Sequence, residues 1–157
     1  MSAENNLREL GITLPDTPKP LVAYLPATRT GNLIFLSGVL PMDRGELAFT
    51  GKLGLNLTVE EGYEAAKVAC VNALAILKSE LGSLERVKQI VKVTGYVASA
   101  PDFYDQPKVV NGASELLAAV FGESGRHARA AVGCPSLPAN TPVEIEMIVE
   151  RSLMKTI

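Results

Sequence analysis

Between Val143 and Glu150 the side chains alternate. Val143, Ile145, Met147 and Val149 fall on one face of an extended strand, and Glu144, Glu146, Ile148 and Glu150 on the other. A strand of this kind needs a sheet with one face against a core and the other turned outward. Just upstream, His127 to Val132 reads as a second short strand, reached from the first across a proline-bounded loop. It carries one arginine, Arg129, among small apolar residues. A guanidinium grips a carboxylate through two parallel hydrogen bonds. A carboxylate held nearby can position a water or move a proton. The alternative is that Arg129 is a strand-surface charge paired with one of the glutamates.

Residues 4–10 suit a short amphipathic helix ending at Gly11, and the proline-containing run ITLPDTPKPL an extended arm. Leu21 to Ala27 and Leu33 to Ser37 read as strands around a Thr30–Gly31–Asn32 turn. The continuous apolar run LIFLSG is expected to be buried on both faces. A further turn at Asp43 to Gly45 precedes a short strand. Thr58 and Glu61 have capping-box spacing for a long helix with an apolar stripe of Tyr63, Ala66, Cys70, Ala73, Leu74, Leu77 and Leu81, and Gly82 stops it. Val87 to Val97 reads as a strand with Val91, Val93, Gly95 and Val97 on one face. A second helix spans about Pro107 to Phe121, its buried stripe running from Val109 and Val110 to Val120. The order β-β-β-α-β-α-β-β predicts a two-layer α+β domain, a mixed sheet with two helices on one face. The other face is left bare, and a bare apolar face packs on another subunit.

A length of 157 residues with 47% apolar side chains suits one folded domain. Only 20% of residues are charged, as expected of an oligomer. The net charge of −2, with no basic cluster, argues against nucleic acid as a partner. No apolar run is long enough to span a bilayer, and MSAENNLREL does not have the form of a signal peptide, so the expectation is no membrane and a cytoplasmic protein. Cys70 and Cys134, with the one histidine, fit no metal spacing, so no protein-built zinc site is expected. Cys70, inside the helical stripe, reads as a buried structural thiol. His127 reads as a strand-end polar residue, with no partners for a catalytic triad.

The run GNLIFLSGVLP, Gly31 to Pro41, resembles the G-N-h-h-h-x-S-G-Q-h-P signature (h, apolar) of the RidA/YjgF family. The closing run ARAAVGCPSLPANTPVEIEMI resembles that family's A-R-x-x-V…L-P…V/I-E-I-E pattern with the same arginine-to-glutamate spacing. Val110–Asn111 and Phe121–Gly122 fall where its second helix has V-N and F-G. The resemblance covers roughly Lys19 to Arg151, leaving residues 1–18 as an N-terminal arm and 19–157 as the domain. It implies a chorismate-mutase-like fold and a homotrimer with pockets for small carboxylates at the subunit interfaces. It further implies hydrolysis of reactive enamines and imines of the 2-aminoacrylate type to a 2-keto acid and ammonia, without cofactor. By position, Arg129 corresponds to the carboxylate-binding arginine and Glu144 to the water-holding glutamate. Tyr24, Ser37, Gly31 and Asn111 correspond to pocket residues. Ala131 stands where the family commonly has cysteine and Val39 where it has glutamine, which places the chain in a divergent branch. A non-catalytic trimer that binds 2-keto acids is the alternative. A ribonuclease, a name also attached to this family, sits poorly with the acidic balance.

Overall fold

The computed structural model describes residues 2–17 and 23–153. In chain order the elements are α1 (Ala3–Glu9), β1 (Ala27–Thr30), β2 (Leu33–Leu36), β3 (Met42–Asp43), β4 (Glu46–Leu47) and α2 (Val59–Leu81). They continue with β5 (Val87–Ala98), α3 (Gln106–Phe121), β6 (Ala128–Cys134) and β7 (Val143–Arg151). The domain is a mixed α+β fold of the predicted kind. Five strands form one sheet in the order β1-β2-β7-β5-β6, antiparallel except for the parallel β5–β6 pair, while β3 and β4 make a separate small hairpin.

α2 begins and ends as its sequence dictates. The Thr58 hydroxyl accepts from the Glu61 amide at 3.2 Å, and the Glu61 carboxylate accepts from the Thr58 amide at 3.1 Å. Two donors that the first turn would otherwise orphan are thereby satisfied. Gly82 closes the helix with φ 80°, a left-handed conformation that side chains with a Cβ resist. The expected stripe is buried from Ala66 through Leu81, with Tyr63 only half-buried. α3 lies so close to α2 that a Cβ on Gly112 would overlap the Tyr63 carbonyl. Glycine lets these two backbones approach.

The helix at the start of the N-terminal arm, α1, packs into this layer. Ala3 and Leu7 of α1 are buried, and the Asn6 side-chain amide donates to the Val120 carbonyl at 2.8 Å. Glu4 pairs with Lys78 of α2 at 3.0 Å. Three helices, not two, therefore form the helical layer.

Three strand expectations are revised. β1 runs over Ala27–Thr30, later than predicted, because Pro26 has no N–H to give to a ladder. Leu21 and Val22 of the expected strand lie outside the described residues. Gly31 and Asn32 alone make the turn, since Thr30 pairs with Leu33. β2 is buried on one face only: Ile34 and Leu36 point into the core, and Phe35 is exposed. In β5 the pairing slips between Ile90 and Lys92, a bulge that turns Val91 outward and puts Ile90 in the core with Val93 and Val97.

β7 behaves as its alternation demands. Val143, Ile145, Met147 and Val149 are buried beneath the helices, and Glu144, Glu146, Ile148 and Glu150 lie on the opposite face. That opposite face is not uniformly apolar. The exposed Phe35 and Val132 share it with Thr94, Tyr96 and the glutamates. No described helix is long and apolar enough to cross a membrane.

Candidate active site

β6 is an edge strand of small residues held by seven parallel pairings to β5, among them Val93 with Arg129 and Gly95 with Ala131. Paired residues point to the same side of a sheet. Val93 is fully buried under the helices, so Arg129 projects toward α3. There its Nη1 donates to Asn111 Oδ1 at 2.8 Å and to Ser114 Oγ at 3.1 Å. The spacing of Asn111 and Ser114 puts both on one face of α3. No carboxylate among the described residues pairs with Arg129. The ion-pair reading of this arginine therefore finds no partner. A pocket of about 340 Å³ opens beside it, lined also by Asn111, Ser114, Glu115, Arg126 and His127. Ala131 follows on the same side of β6, half-buried against the core.

Glu144 sits elsewhere. It pairs with Tyr96, and Tyr96 pairs with Val132, so Glu144 is level with Val132 and not with Arg129. It also points to the opposite face of the sheet. Two strand spacings and three residues of register set the two Cα atoms about 14 Å apart. Within one chain Arg129 and Glu144 do not share a pocket.

The Glu144 carboxylate rests on Gly38, where a Cβ would overlap it. Burial, and then the neighbouring Glu146, raise its pKa above the ordinary carboxylate value. Glu146 is itself held by the Tyr96 hydroxyl, which donates to it at 2.7 Å. Ser37 leaves β2 beside Glu144 and turns its hydroxyl to the Leu25 carbonyl at 2.6 Å. Tyr24, 66% exposed, joins Ser37 and Gly38 around a groove of about 670 Å³. Pro15 to Thr17 of the N-terminal segment, Met42 to Gly45 of the small hairpin, and Asn72, Ala75 and Ile76 of α2 also line that groove.

The predicted site residues thus fall into two groups. Arg129, Asn111 and Ala131 belong to the α3–β6 cleft, whereas Glu144, on the opposite sheet face, meets Gly38, which lines the groove beside α2 together with Ser37 and Tyr24. Gly31 joins neither. It lies in the β1–β2 turn with φ 56°, at the far end of β2 from Ser37. Gly38 is the glycine at the carboxylate, and its place directly after Ser37 was the available signal. Ser114, not singled out by the sequence, also lines the Arg129 cleft, as does His127, read there only as a strand-end polar residue. His127 stands just before β6, two residues from Arg129, and the three-residue step from Asn111 to Ser114 puts both on one face of α3.

Residues 4–150 match the sequence family described as “YjgF/chorismate_mutase-like, putative endoribonuclease”. The chain belongs to the YjgF/chorismate mutase-like family. The chain is similar to Protein TCP17 of Trypanosoma cruzi, 42% identical over 92% of this chain and 91% of that one. A 2-iminobutanoate/2-iminopropanoate deaminase of the mite Dermatophagoides farinae is 30% identical, covering 88% of this chain and 94% of its own. The crystal structure of a protein of unknown function from Agrobacterium tumefaciens superposes with a TM-score of 0.89 at 47% identity, over 96% of this chain and 92% of that one. The YjgF match begins at residue 4, in α1, consistent with an N-terminal helix packed into the domain.

Proposed function

We propose that this protein is a cytoplasmic, cofactor-independent hydrolase of small imines and enamines bearing a carboxylate, of the 2-aminoacrylate type, and that it works as a homotrimer. The observation that carries the reading is Arg129, ordered by Asn111 and Ser114 yet without a carboxylate partner among the described residues, beside a pocket of about 340 Å³. A cation held this way is ready for an anion. The deaminase from the mite supplies the chemistry by relationship.

In this reading the substrate carboxylate docks on Arg129. The enamine takes a proton from solvent on its terminal carbon to give the iminium, and a water attacks the iminium carbon. Glu144, with its raised pKa, accepts the water's proton and returns it to nitrogen. The C–N bond of the resulting carbinolamine breaks as Glu144 takes the hydroxyl proton, releasing ammonia and the 2-keto acid, and the carboxyl returns its proton to solvent or ammonia. An imine is electrophilic without further activation, so orientation and one proton carrier supply the needed effects. Because Arg129 and Glu144 occupy opposite faces of the sheet, the complete site requires a second copy. The Arg129 cleft of one protomer meets the Glu144, Ser37 and Gly38 surface of the next, around a closed ring.

The test is 2-keto acid release from 2-aminoacrylate generated in situ by a serine dehydratase, with uncatalysed decay as baseline. Wild type is expected to accelerate release, and Arg129→Ala to lose one to four orders of magnitude, about the worth of one or two hydrogen bonds to a charged group. Full acceleration by the variant would remove Arg129 from the site. Pyruvate binding without any acceleration would leave a carboxylate-binding trimer.

A further inference from the structure

Both hydrogens of Arg129 Nη1 are engaged, one by Asn111 Oδ1 at 2.8 Å and one by Ser114 Oγ at 3.1 Å. Behind Ser114 stands His127. Its Nδ1 lies 2.6 Å from the Gly125 carbonyl oxygen and its Nε2 lies 2.9 Å from Ser114 Oγ. A carbonyl oxygen only accepts, so Nδ1 carries a hydrogen. In the neutral ring Nε2 is then the acceptor, and the Ser114 hydroxyl donates to it. The Ser114 oxygen keeps only lone pairs, and Arg129 Nη1 donates to one of them. While His127 is neutral, no bond in this series can reverse its direction.

We propose that His127, acting through Ser114, is a positioning residue for Arg129, and that the tether on Nη1 leaves the Nε–Nη2 edge of the guanidinium to receive one planar carboxylate. The inference rests on Arg129 being the anion-binding residue. Neither Nε nor Nη2 has a protein partner among the described residues. Their N–H bonds form the parallel fork that matches two carboxylate oxygens. The other charges around the pocket are engaged elsewhere: Glu115 accepts from the Tyr63 hydroxyl, and Arg126 pairs with Glu123 at 3.6 Å. Arginine is a long, rotamer-rich side chain, and ordering it beforehand removes a cost that binding would otherwise carry. Asn111 alone would leave one Nη1 hydrogen free and the plane of the guanidinium able to turn.

The experiment compares wild type with Ser114→Ala, His127→Phe and His127→Gln by two readouts. The first is the Kd for pyruvate from NMR titration. The second is the ¹⁵N-edited spectrum of the arginine side chains without ligand, which reports rotation about the Arg129 guanidinium bonds. Ser114→Ala and His127→Phe are expected to weaken pyruvate about tenfold. In both, the separate Nη signals of a held guanidinium should collapse to an average. His127→Gln is expected to keep both properties, because its amide oxygen still accepts from Ser114. Resolved signals and unchanged affinity in Ser114→Ala would overturn the proposal, as would equal losses in His127→Gln and His127→Phe, which would mean that the ring acts only by packing. If wild type and Arg129→Ala both fail to bind pyruvate, the functional reading falls, and the ligand-free spectra still decide whether Ser114 and His127 hold Arg129.

Discussion

Glu144 is a carboxylate kept where ionisation is costly. Burial and the Glu146 charge raise its pKa in the folded protein above the unfolded value. The unfolded chain therefore releases this proton more readily, and above the carboxylate range ionised Glu144 works against folding. Glu144→Gln is expected to raise the Tm at neutral pH. The gain should shrink to nothing as pH falls through the folded and then the unfolded pKa. Keto-acid release should drop by about two to four orders of magnitude in the same variant, the usual worth of a general base. Thermal scans at several pH values beside the coupled assay check both directions, and a destabilised variant at neutral pH would refute the argument. Cys70 shows a related effect without a function attached. Complete burial pushes its thiol up to about 12, so almost no thiolate exists at pH 8. A disulfide reagent at that pH should titrate at most one thiol per native chain, Cys134, and two after denaturation.

At the scale of elements, what the sequence disclosed and what it hid divide along local and non-local physics. The Thr58–Glu61 box and the Gly82 stop are settled within one turn of chain, so α2 was legible to the residue. β7 was equally legible, because one face of it meets a continuous core. The β5 bulge was not, since it exists only relative to the register of β7, and Val91 looks no different from Val93 in sequence. The docking of α1 depends on Val120 and Lys78, more than seventy residues away, and no local pattern announces it. The site divides in the same way. Asn111 and Arg129 were assigned through motif positions and proved adjacent, whereas Gly38 at Glu144 and His127 behind Ser114 needed the strands to be laid side by side. The capping box gives the quantitative check. Thr58→Ala should cost about 1 kcal/mol. For a domain of this size that lowers the Tm by about 2–4 °C. Activity per folded molecule should stay unchanged, because Thr58 lines neither the Arg129 pocket nor the groove beside Tyr24; a larger loss of activity than of stability would mean that α2 positions that groove.

At the scale of the whole molecule, the separation of Arg129 from Glu144 is the feature with the most consequence. One chain has a cation cleft between α3 and β6 and a carboxylate on the opposite sheet face, and folding cannot bring them together. If catalysis needs both, each site must draw Arg129 from one copy and Glu144 from another. The Arg129→Ala and Glu144→Gln proteins then each keep only a residual rate, yet each retains the half that the other has lost. When the two variants are unfolded together in equal amounts and refolded, a site is intact where a Glu144→Gln chain supplies the arginine and an Arg129→Ala chain the glutamate. Random assembly makes that true of about one site in four in a ring. The mixture should therefore recover about a quarter of wild-type keto-acid release, while either variant refolded alone stays at its residual rate. A mixture as inactive as its components would place both residues in one protomer's site, which the opposite faces of this sheet could permit only through a rearrangement of β6.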